Sequence, residues 1–380
     1  NGDHQGSGRV GGDGVMAKLG EVCLLKAGKF VSANDISPEY NKGLYPCFGG
    51  NGIRGYVADY THDGEFPLIG RQGALCGNVN LASGKFHATE HAVVVQPKIE
   101  MNVHWLYYAL NAMNLGQYAT GAAQPGLAVS KLETLSIEIP NISEQNKIAQ
   151  TLYKVEQLVN FRKQQLAKLD ELVKARFVEM FGTFPANPFR WSIGKIQDVV
   201  SDVRYGSSRP AVEGGKYPYL RMNNITYSGE LDLRDTKRID IPDSELDKCT
   251  VRRGDVLFNR TNSKELVGKT CVYNRDELMV LAGFVIRVRI NERIRPEVLS
   301  AFLNMDFSKR MLIGMCKTAI GQANINAKEL QNIDLYIPPI ELQDQFVTLK
   351  NKVDQQKQTV QQSLEKLELL KKALMQEYFG

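Results

Sequence analysis

The sequence predicts an α+β protein with two similar globular α/β domains, each followed by a long helix, and with the two helices packed as an antiparallel coiled coil of pseudo-twofold symmetry. Two observations support this prediction. Residues 124–182 recur at 322–380 with a constant offset of 198 and no gap. Each copy also ends in an apolar heptad pattern. The recurring residues are Gln124, Leu132, Ile139-Pro140, Gln145, Leu166, Leu169, Leu172, Glu179 and Phe181-Gly182, which return as Gln322, Leu330, Ile337-Pro338, Gln343, Leu364, Leu367, Leu370, Glu377 and Phe379-Gly380.

The positive charge is concentrated in the second globular region. The chain has 380 residues and a net charge of +5, and its length is enough for two to three domains. Residues 16–125 carry 8 Lys and Arg against 8 Asp and Glu. Residues 183–320 carry 23 against 17, and 15 of the 23 are Arg. Arginine favours phosphate and guanine contacts, although a solvated basic surface would show the same composition.

The cysteines and the hydropathy pattern exclude several protein classes. Six scattered cysteines form no C-x-x-C pair, which favours reduced thiols in a cytoplasmic protein over a disulfide framework or a zinc site. Because no apolar run reaches 18 residues, we expect no membrane-spanning segment. The glycine-rich residues 1–15 are interpreted as a leader or a disordered tail.

The first domain is predicted at 16–141 and the second at 183–339. Short apolar runs broken by Gly, Asn and Pro, such as residues 66–69 and 92–95, indicate strands in a loop-rich domain. Residues 102–115 have helical spacing. The second domain repeats this order, with strands near 254–260 and 284–288 and a helix near 296–307.

The long helices are predicted at 142–182 and 340–380. Apolar residues follow a 4-3-4-3 spacing from Ile148 to Met180, interrupted by Arg162, and Gly182 supplies a C-terminal cap. Such a helix is about 55–60 Å long, and its apolar seam requires a partner helix. The alternative is that each helix packs only on its own domain.

Three motifs resemble catalytic or cofactor signatures. Residues 50–55 fit G-x-G-x-x-G, but a strand-like segment follows, so a loop or plain turn is favoured over a dinucleotide site. Residues 87–91 fit the zinc string H-x-x-E-H but precede a strand rather than lie on a helix. Residues 187–189 partly match an amino-methyltransferase signature and are better explained as a linker. We therefore predict no catalytic residues and no metal site.

Clusters of arginine with amides and hydroxyls are the predicted DNA-facing residues. These side-chain types read base edges or hold phosphates. The candidates are Asn51, Arg54, Arg71, Gln72, Asn78 and Asn80 in the first domain, and Arg204, Ser207, Arg209, Arg221, Asn223, Asn224, Arg260, Thr261, Asn262 and Lys264 in the second.

The chain resembles the specificity subunits of type I restriction-modification enzymes over residues 16–380. The sharpest matching motifs are residues 120–127 (TGAAQPGL), Leu132, residues 137–140 (IEIP), residues 321–325 (GQANI), Leu330 and residues 337–339 (IPP). Further support comes from Tyr45-Pro46, residues 49–52 (GGNG) and residues 254–257 (GDVL).

The resemblance implies two target-recognition domains, each reading half of a bipartite site in double-stranded DNA, with the helices setting the gap. It also implies a non-catalytic subunit in a bacterial or archaeal cytoplasm. Its expected partners are two methylase subunits, which bind S-adenosylmethionine, and motor-nuclease subunits. The helix-end residues Phe177, Met180 and Phe181, and Met375, Tyr378 and Phe379, either contact the methylase or pack in the core. The alternative function is a coiled-coil protein scaffold with no sequence-specific DNA role.

Overall fold

The computed structural model describes residues 14–121, 125–319 and 322–380. Ala122, Ala123, Gln124 and Gly321 of the recurring motifs, and most of the predicted leader, lie outside the described residues. The chain divides into two compact units. Unit one comprises the chain up to Arg162 together with residues 363–380, and unit two comprises residues 163–362.

Unit one is built on an antiparallel sheet that a parallel pair extends. Its strand order is β2-β7-β5-β6-β3-β4, with β3 parallel to β6, and β1 pairs separately with β8. The strands are β1 (Val15–Lys18), β2 (Cys23–Ala27), β3 (Tyr45–Gly49), β4 (Gly52–Val57), β5 (His62–Gly70), β6 (Val79–Ala88), β7 (Ala92–Pro97) and β8 (Ser136–Ile139). The helices are α1 (Leu19–Val22), α2 (Val103–Ala112), α3 (Val129–Glu133) and α4 (Ile142–Phe181), which continues into unit two.

Unit two has a sheet of order β10-β18-β14-β16, a second of order β12-β11-β17-β13, and the smaller pairings β15-β20-β19 and β21-β9. The strands are β9 (Ser192–Lys195), β10 (Val200–Tyr205), β11 (Tyr217–Leu220), β12 (Lys237–Ile239), β13 (Thr250–Val251), β14 (Val256–Asn259), β15 (Thr261–Asn262), β16 (Thr270–Val272), β17 (Met279–Leu281), β18 (Val285–Ile290), β19 (Lys317–Ala319), β20 (Gln322–Asn324) and β21 (Asp334–Ile337). The helices are α5 (Asp243–Cys249), α6 (Pro296–Asn304), α7 (Asp306–Met315), α8 (Ala327–Gln331) and α9 (Ile340–Phe379), whose end belongs to unit one.

The two units repeat one topology, as the sequence predicts. The order β2-β7-β5-β6 corresponds to β10-β18-β14-β16, and the pair β1-β8 corresponds to β9-β21. Single hydrogen bonds also recur: Leu19 N–H donates to the Leu135 carbonyl at 2.8 Å, and Ile196 N–H donates to the Ile333 carbonyl at 2.9 Å. Duplication therefore extends through both globular regions, well beyond the recurring segment visible in the sequence.

One predicted boundary needs correction. Strand β1 begins at Val15, which pairs with Ile139 of β8, so residue 15 belongs to the fold rather than to a leader. The long helices begin at the predicted residues, Ile142 and Ile340, because Pro140 and Pro338 lack the backbone N–H that a strand or helix would use there.

The two long helices pair antiparallel within each unit. In unit one, Lys371 Nζ lies 2.7 Å from the Glu156 carboxylate, and Arg162 Nε donates to Ser363 Oγ at 3.2 Å. In unit two, Lys357 pairs with Asp170. Residue numbers rise on one helix as they fall on the other, which confirms the antiparallel pairing. Arg162, which interrupts the apolar heptad pattern, fits between the helices because the Ser363 hydroxyl accepts its hydrogen bond.

Aromatic side chains at the end of α4 are part of the core of unit two. Phe177 and Phe181 are fully buried, and their ring centroids lie 5.5 and 5.4 Å from that of Phe346. In unit one, the ring of Phe379 lies 6.5 Å from Trp105, and Met375 and Tyr378 pack on the same core. Of the two interpretations of the helix ends, core packing is therefore correct for Phe177 and Phe181.

A buried glutamine joins each globular domain to the root of its long helix. Gln145 Oε1 accepts the N–H of Asn102, the residue that caps α2, at 2.9 Å, while its Nε2 donates to the Pro140 carbonyl at 2.8 Å. Gln343 repeats this geometry with the N–H of Arg295, which caps α6, and with the Pro338 carbonyl, both at 2.8 Å. We call these two residues the clamp glutamines. Their bonds explain why glutamine recurs at this place in both copies.

We predict that Gln343→Leu lowers the free energy of unfolding by about 1–3 kcal/mol, because it leaves the buried Arg295 N–H and Pro338 carbonyl without partners. Urea unfolding followed by circular dichroism measures the loss. The matched control is Gln358→Leu at an exposed position on the same helix, which should change stability by less than about 0.5 kcal/mol. Equal effects of the two substitutions would contradict the clamp.

A second prediction concerns the helix end. Phe181→Ala should destabilise unit two by about 3–5 kcal/mol, since it opens a cavity beside Phe177 and Phe346. Leu172→Ala, whose side chain is 42% exposed on the same helix, should cost far less. Thermal unfolding of both variants tests this, and a Phe181→Ala variant as stable as the control would show that the ring is not a core residue.

Candidate nucleic-acid interface

The glycine-rich residues 50–55 form the tight turn of the hairpin between β3 and β4. Gly49 pairs with Gly52, so Asn51 lies at the tip of the turn, and Arg54 lies on β4. A side chain at Gly70 could not fit, because its Cβ would lie 2.0 Å from the Gly50 carbonyl oxygen. Within the hairpin, Gly52 has a φ of +91°, and a Cβ at Gly55 would lie 2.4 Å from the Ser37 carbonyl oxygen, so the glycines serve the backbone. A strand follows them instead of a helix, which agrees with rejecting a dinucleotide site.

Four polar side chains of unit one line one surface cavity of about 480 Å³: Asn51, Arg54, Gln72 and His91. Asn51 and Arg54 come from the hairpin, whereas Gln72 lies just after β5 and His91 just before β7. Amides offer both a donor and an acceptor, and arginine adds a charge, so this group has the chemistry needed to read base edges. The structure therefore brings together three of the residues predicted for this domain.

The other predicted residues of unit one are arranged less uniformly. The amide nitrogen of Asn78 donates to Asn51 Oδ1 at 3.0 Å, so Asn78 supports the hairpin tip. Asn80 lines a separate cavity of about 360 Å³ with His104, Tyr153 and Glu156 and is not part of the Asn51 group. Arg71 is half-buried directly after β5.

In unit two, Arg260 follows β14 and stacks on Tyr205. The guanidinium carbon lies 4.9 Å from the centre of the Tyr205 ring, whose hydroxyl accepts the Ala327 N–H at 2.8 Å. Asn262 and the exposed Lys264 follow Arg260 in the chain. A ring fixed in this way restricts the arginine side chain, and the segment presents a planar cation, an amide and an ammonium group in sequence.

Three further arginines of unit two are engaged by carboxylates. Arg204 lies 2.8 Å from Asp202, Arg209 contacts Glu245 through two nitrogens, and Arg221 lies 3.1 Å from Asp235. The hydrogen bonds that Arg209 donates to Glu245 raise the pKa of Arg209 and lower the pKa of Glu245. These arginines would have to exchange a carboxylate for a phosphate on binding DNA, so their net contribution to affinity should be small.

Three predicted contacts are buried and serve the fold instead. Ser207 Oγ accepts the Arg209 N–H, and the Asn224 side chain accepts the Arg221 N–H and donates to the Asp232 carbonyl. Thr261 donates its hydroxyl to Asn324 across a strand pair. All are under 9% exposed, so they are removed from the candidate interface. Asn223, which lies between Arg221 and Asn224 in the chain, is exposed.

Tyr205 and His91 belong to these groups but are absent from the predicted contacts. In the sequence, His91 stands out only within the zinc-like string 87–91, and Tyr205 only as the neighbour of Arg204. Alignment of β7 with β18 could have identified His91 from the sequence, because His91 and Phe284 hold equivalent places before these two strands. Phe284 is 53% exposed, so both positions face outward in part.

The suspected catalytic motifs have structural roles. His87 lies on β6, which ends at Ala88, and His91 lies beyond the strand, so the H-x-x-E-H string does not form a helical face. Asn187 makes two hydrogen bonds to the Trp191 backbone at 2.8 and 2.9 Å, which closes a local turn. Within residues 14–121, 125–319 and 322–380, no group of three or more His, Cys, Asp or Glu could hold a metal ion. Likewise, no helix in this described part is long and apolar enough to cross a membrane.

Curated proteins similar to this chain are specificity subunits. It is 52% identical over 149 residues to the type I restriction enzyme EcoprrI specificity subunit of Escherichia coli, covering 39% of this chain and 37% of that protein. It is 22% identical over 260 residues to the EcoKI specificity subunit of Escherichia coli K12, covering 64% of this chain and 56% of that protein. The matches thus span between about a third and just over half of these relatives.

Solved structures share the fold. One is the crystal structure of a type I restriction-modification S subunit from M. genitalium, with a TM-score of 0.63, 17% identity, and coverage of 98% of this chain and 97% of that one. A second is a chain from a study of complex assembly and conformational transition of the type I R-M system. Its TM-score is 0.55 at 16% identity, and the match covers 98% of this chain and 99% of that one. The family described as type I restriction modification DNA specificity domain matches twice, at residues 13–171 and 190–369. This chain therefore belongs to the type I restriction-modification DNA specificity domain family.

Proposed function

We propose that this chain is the DNA sequence-recognition subunit of a type I restriction-modification complex. Each domain reads one half of a bipartite site in double-stranded DNA, and the length of the helices sets the gap between the halves. The chain itself carries out no catalysis. It directs an adenine methyltransferase and an associated endonuclease to the site.

One observation carries this proposal: two equivalent backbones carry different side chains at equivalent positions. Gln72 pairs with Gly126 in unit one where Thr261 pairs with Asn324 in unit two. His91 occupies the place of Phe284, and the Asn51 hairpin corresponds to the Arg221–Asn224 turn after β11. A conserved scaffold with diverged surfaces suits the reading of two different half-sites.

The polar side chains of each unit suggest how each half is read. In unit one, Asn51 and Gln72 can each pair with a base edge, and Arg54 beside them can bind guanine or a phosphate. In unit two, Asn262 supplies the amide and Lys264 a point charge. Unit two also carries the basic excess of the chain, so it should contribute more of the salt-dependent affinity.

The partners follow from the same proposal. Two methylase subunits, which bind S-adenosylmethionine, and motor-nuclease subunits would assemble with the chain in a bacterial or archaeal cytoplasm. Support comes from the curated relatives, which are named as specificity subunits of type I restriction enzymes. A scaffold without a DNA role receives no support from them.

We predict that co-expression of this chain with its methylase subunit produces adenine methylation at a split motif with a fixed gap. Single-molecule sequencing of the cellular DNA maps the motif. Asn51→Ala with Gln72→Ala should relax bases in one half only, and Asn262→Ala should relax bases in the other half only, because each lost amide removes about 1–3 kcal/mol of discrimination.

The control for these variants is Asn351→Ala, an exposed residue on α9, which should leave the motif unchanged. No new methylation by a complex that demonstrably assembles would contradict the proposed function. Changes in both halves from a substitution in one domain would contradict the division of labour between the domains.

A further prediction tests the helical spacer. Insertion of seven residues into each long helix adds two turns, or about 10 Å in total. It should lengthen the gap while both half-site sequences remain the same. The same methylation map reads out the result. A motif with altered half-sites and an unaltered gap would show that helix length does not set the spacing.

A further inference from the structure

Arg71 and Arg260 occupy the same place in the two domains. Each follows the strand that enters the middle of its sheet, β5 or β14. The N–H groups of Arg71 and Arg260 donate to His91 and Phe284 carbonyls, respectively, both at 3.0 Å. Their carbonyls accept from Leu127 and Ile325, both at 2.9 Å. Leu127 and Ile325 are themselves separated by the repeat offset, so the match extends to every backbone bond of the arginine.

The two side chains also share an unmet bonding requirement. Nε of Arg71 and Nε of Arg260 are both shielded from solvent without a hydrogen-bond acceptor in the described structure. No carboxylate there forms an ion pair with either guanidinium, in contrast to Arg204, Arg209 and Arg221. A shielded donor without an acceptor is unfavourable unless a ligand supplies one. Arg260 Nη1 lies 3.5 Å from the Gly283 carbonyl, but neither guanidinium charge is matched by a carboxylate within the described residues. Because both side chains are half-buried rather than fully buried, each charge can attract a phosphate at the exposed part of the side chain.

We propose that Arg71 and Arg260 are a matched pair of phosphate contacts that fix each domain on the DNA backbone, while their neighbours read the bases. This inference rests on the proposed function. Residues beside the pair differ between the domains, Gln72 against Thr261 and His91 against Phe284. A DNA contact that is kept in both domains fits what two different half-sites share, which is the sugar–phosphate backbone.

The guanidinium geometry suits this role. A guanidinium holds its donors in a fixed planar fork that matches phosphate oxygens, whereas lysine offers a single mobile charge. In unit two, the Tyr205 ring holds the plane of the Arg260 fork. The corresponding position before Gly28 in unit one is Ala27, so Arg71 lacks this support and should contribute less affinity.

The test uses the full chain assembled with its methylase subunits. Fluorescence anisotropy measures binding to the duplex that methylation mapping identifies, and to duplexes with single changes in each half, over a series of KCl concentrations. Arg260→Gln should weaken binding about tenfold, and Arg71→Gln about threefold, on every duplex alike. Each should also reduce the slope of log affinity against log salt by about 0.9.

The matched control is Arg253→Gln, which removes an exposed arginine at the opposite end of β14 and should change affinity less than twofold. Arg71→Lys and Arg260→Lys should retain the salt slope but lose part of the affinity, because they keep the charge without the fork.

Two results would overturn the inference while leaving the proposed function intact. Relaxed preference at one base pair would make the arginine a base reader. Unchanged affinity and salt slope, or a lower melting temperature as the sole effect, would make it a structural residue. Failure of the wild-type complex to prefer any duplex would instead count against the proposed function itself.

Discussion

The clamp glutamines are the constraint on which the architecture of each unit depends. A globular domain that presents side chains to a ligand is useful only if it is held rigidly on its support. Gln145 and Gln343 provide this by satisfying a helix-capping N–H of the domain and a carbonyl at the start of the long helix. Both are almost fully buried, so their bonds are protected from water and fix the angle at which helix and domain meet.

Above this joint, the two domains show how one scaffold supports different surfaces. Their matching hydrogen bonds involve backbone atoms, which impose little on side-chain identity. Substitutions near the ends of strands therefore leave the sheet intact, as with His91 and Phe284. Charge has diverged as well, with arginine-rich surface in unit two and a neutral balance in unit one. Binding strength and sequence discrimination can thus be distributed unequally between two domains of the same topology.

The sequence predicted the repeat, the strand and helix pattern and the antiparallel helices, because these leave periodic signals in side-chain type. It predicted the clamp glutamines only as recurring letters, since their partners are the backbone groups of unlike residues, Asn102 and Arg295. The candidate site was harder to predict. Asn224 and Thr261 look like surface polar residues, yet they turn inward to satisfy turns and strand ends. Composition does not record which way a polar side chain points.

Unit one combines distant parts of the chain, whereas unit two is contiguous from Lys163 to Gln362. Leu374, Met375, Tyr378 and Phe379 complete the apolar core that the first domain begins. During synthesis on the ribosome, the second unit is therefore the first to have all of its residues available. The first unit must wait, with part of its core uncovered, until the last turns of α9 emerge. The two units are thus completed in the reverse of their order along the chain, and until then the first unit has apolar surface that needs protection.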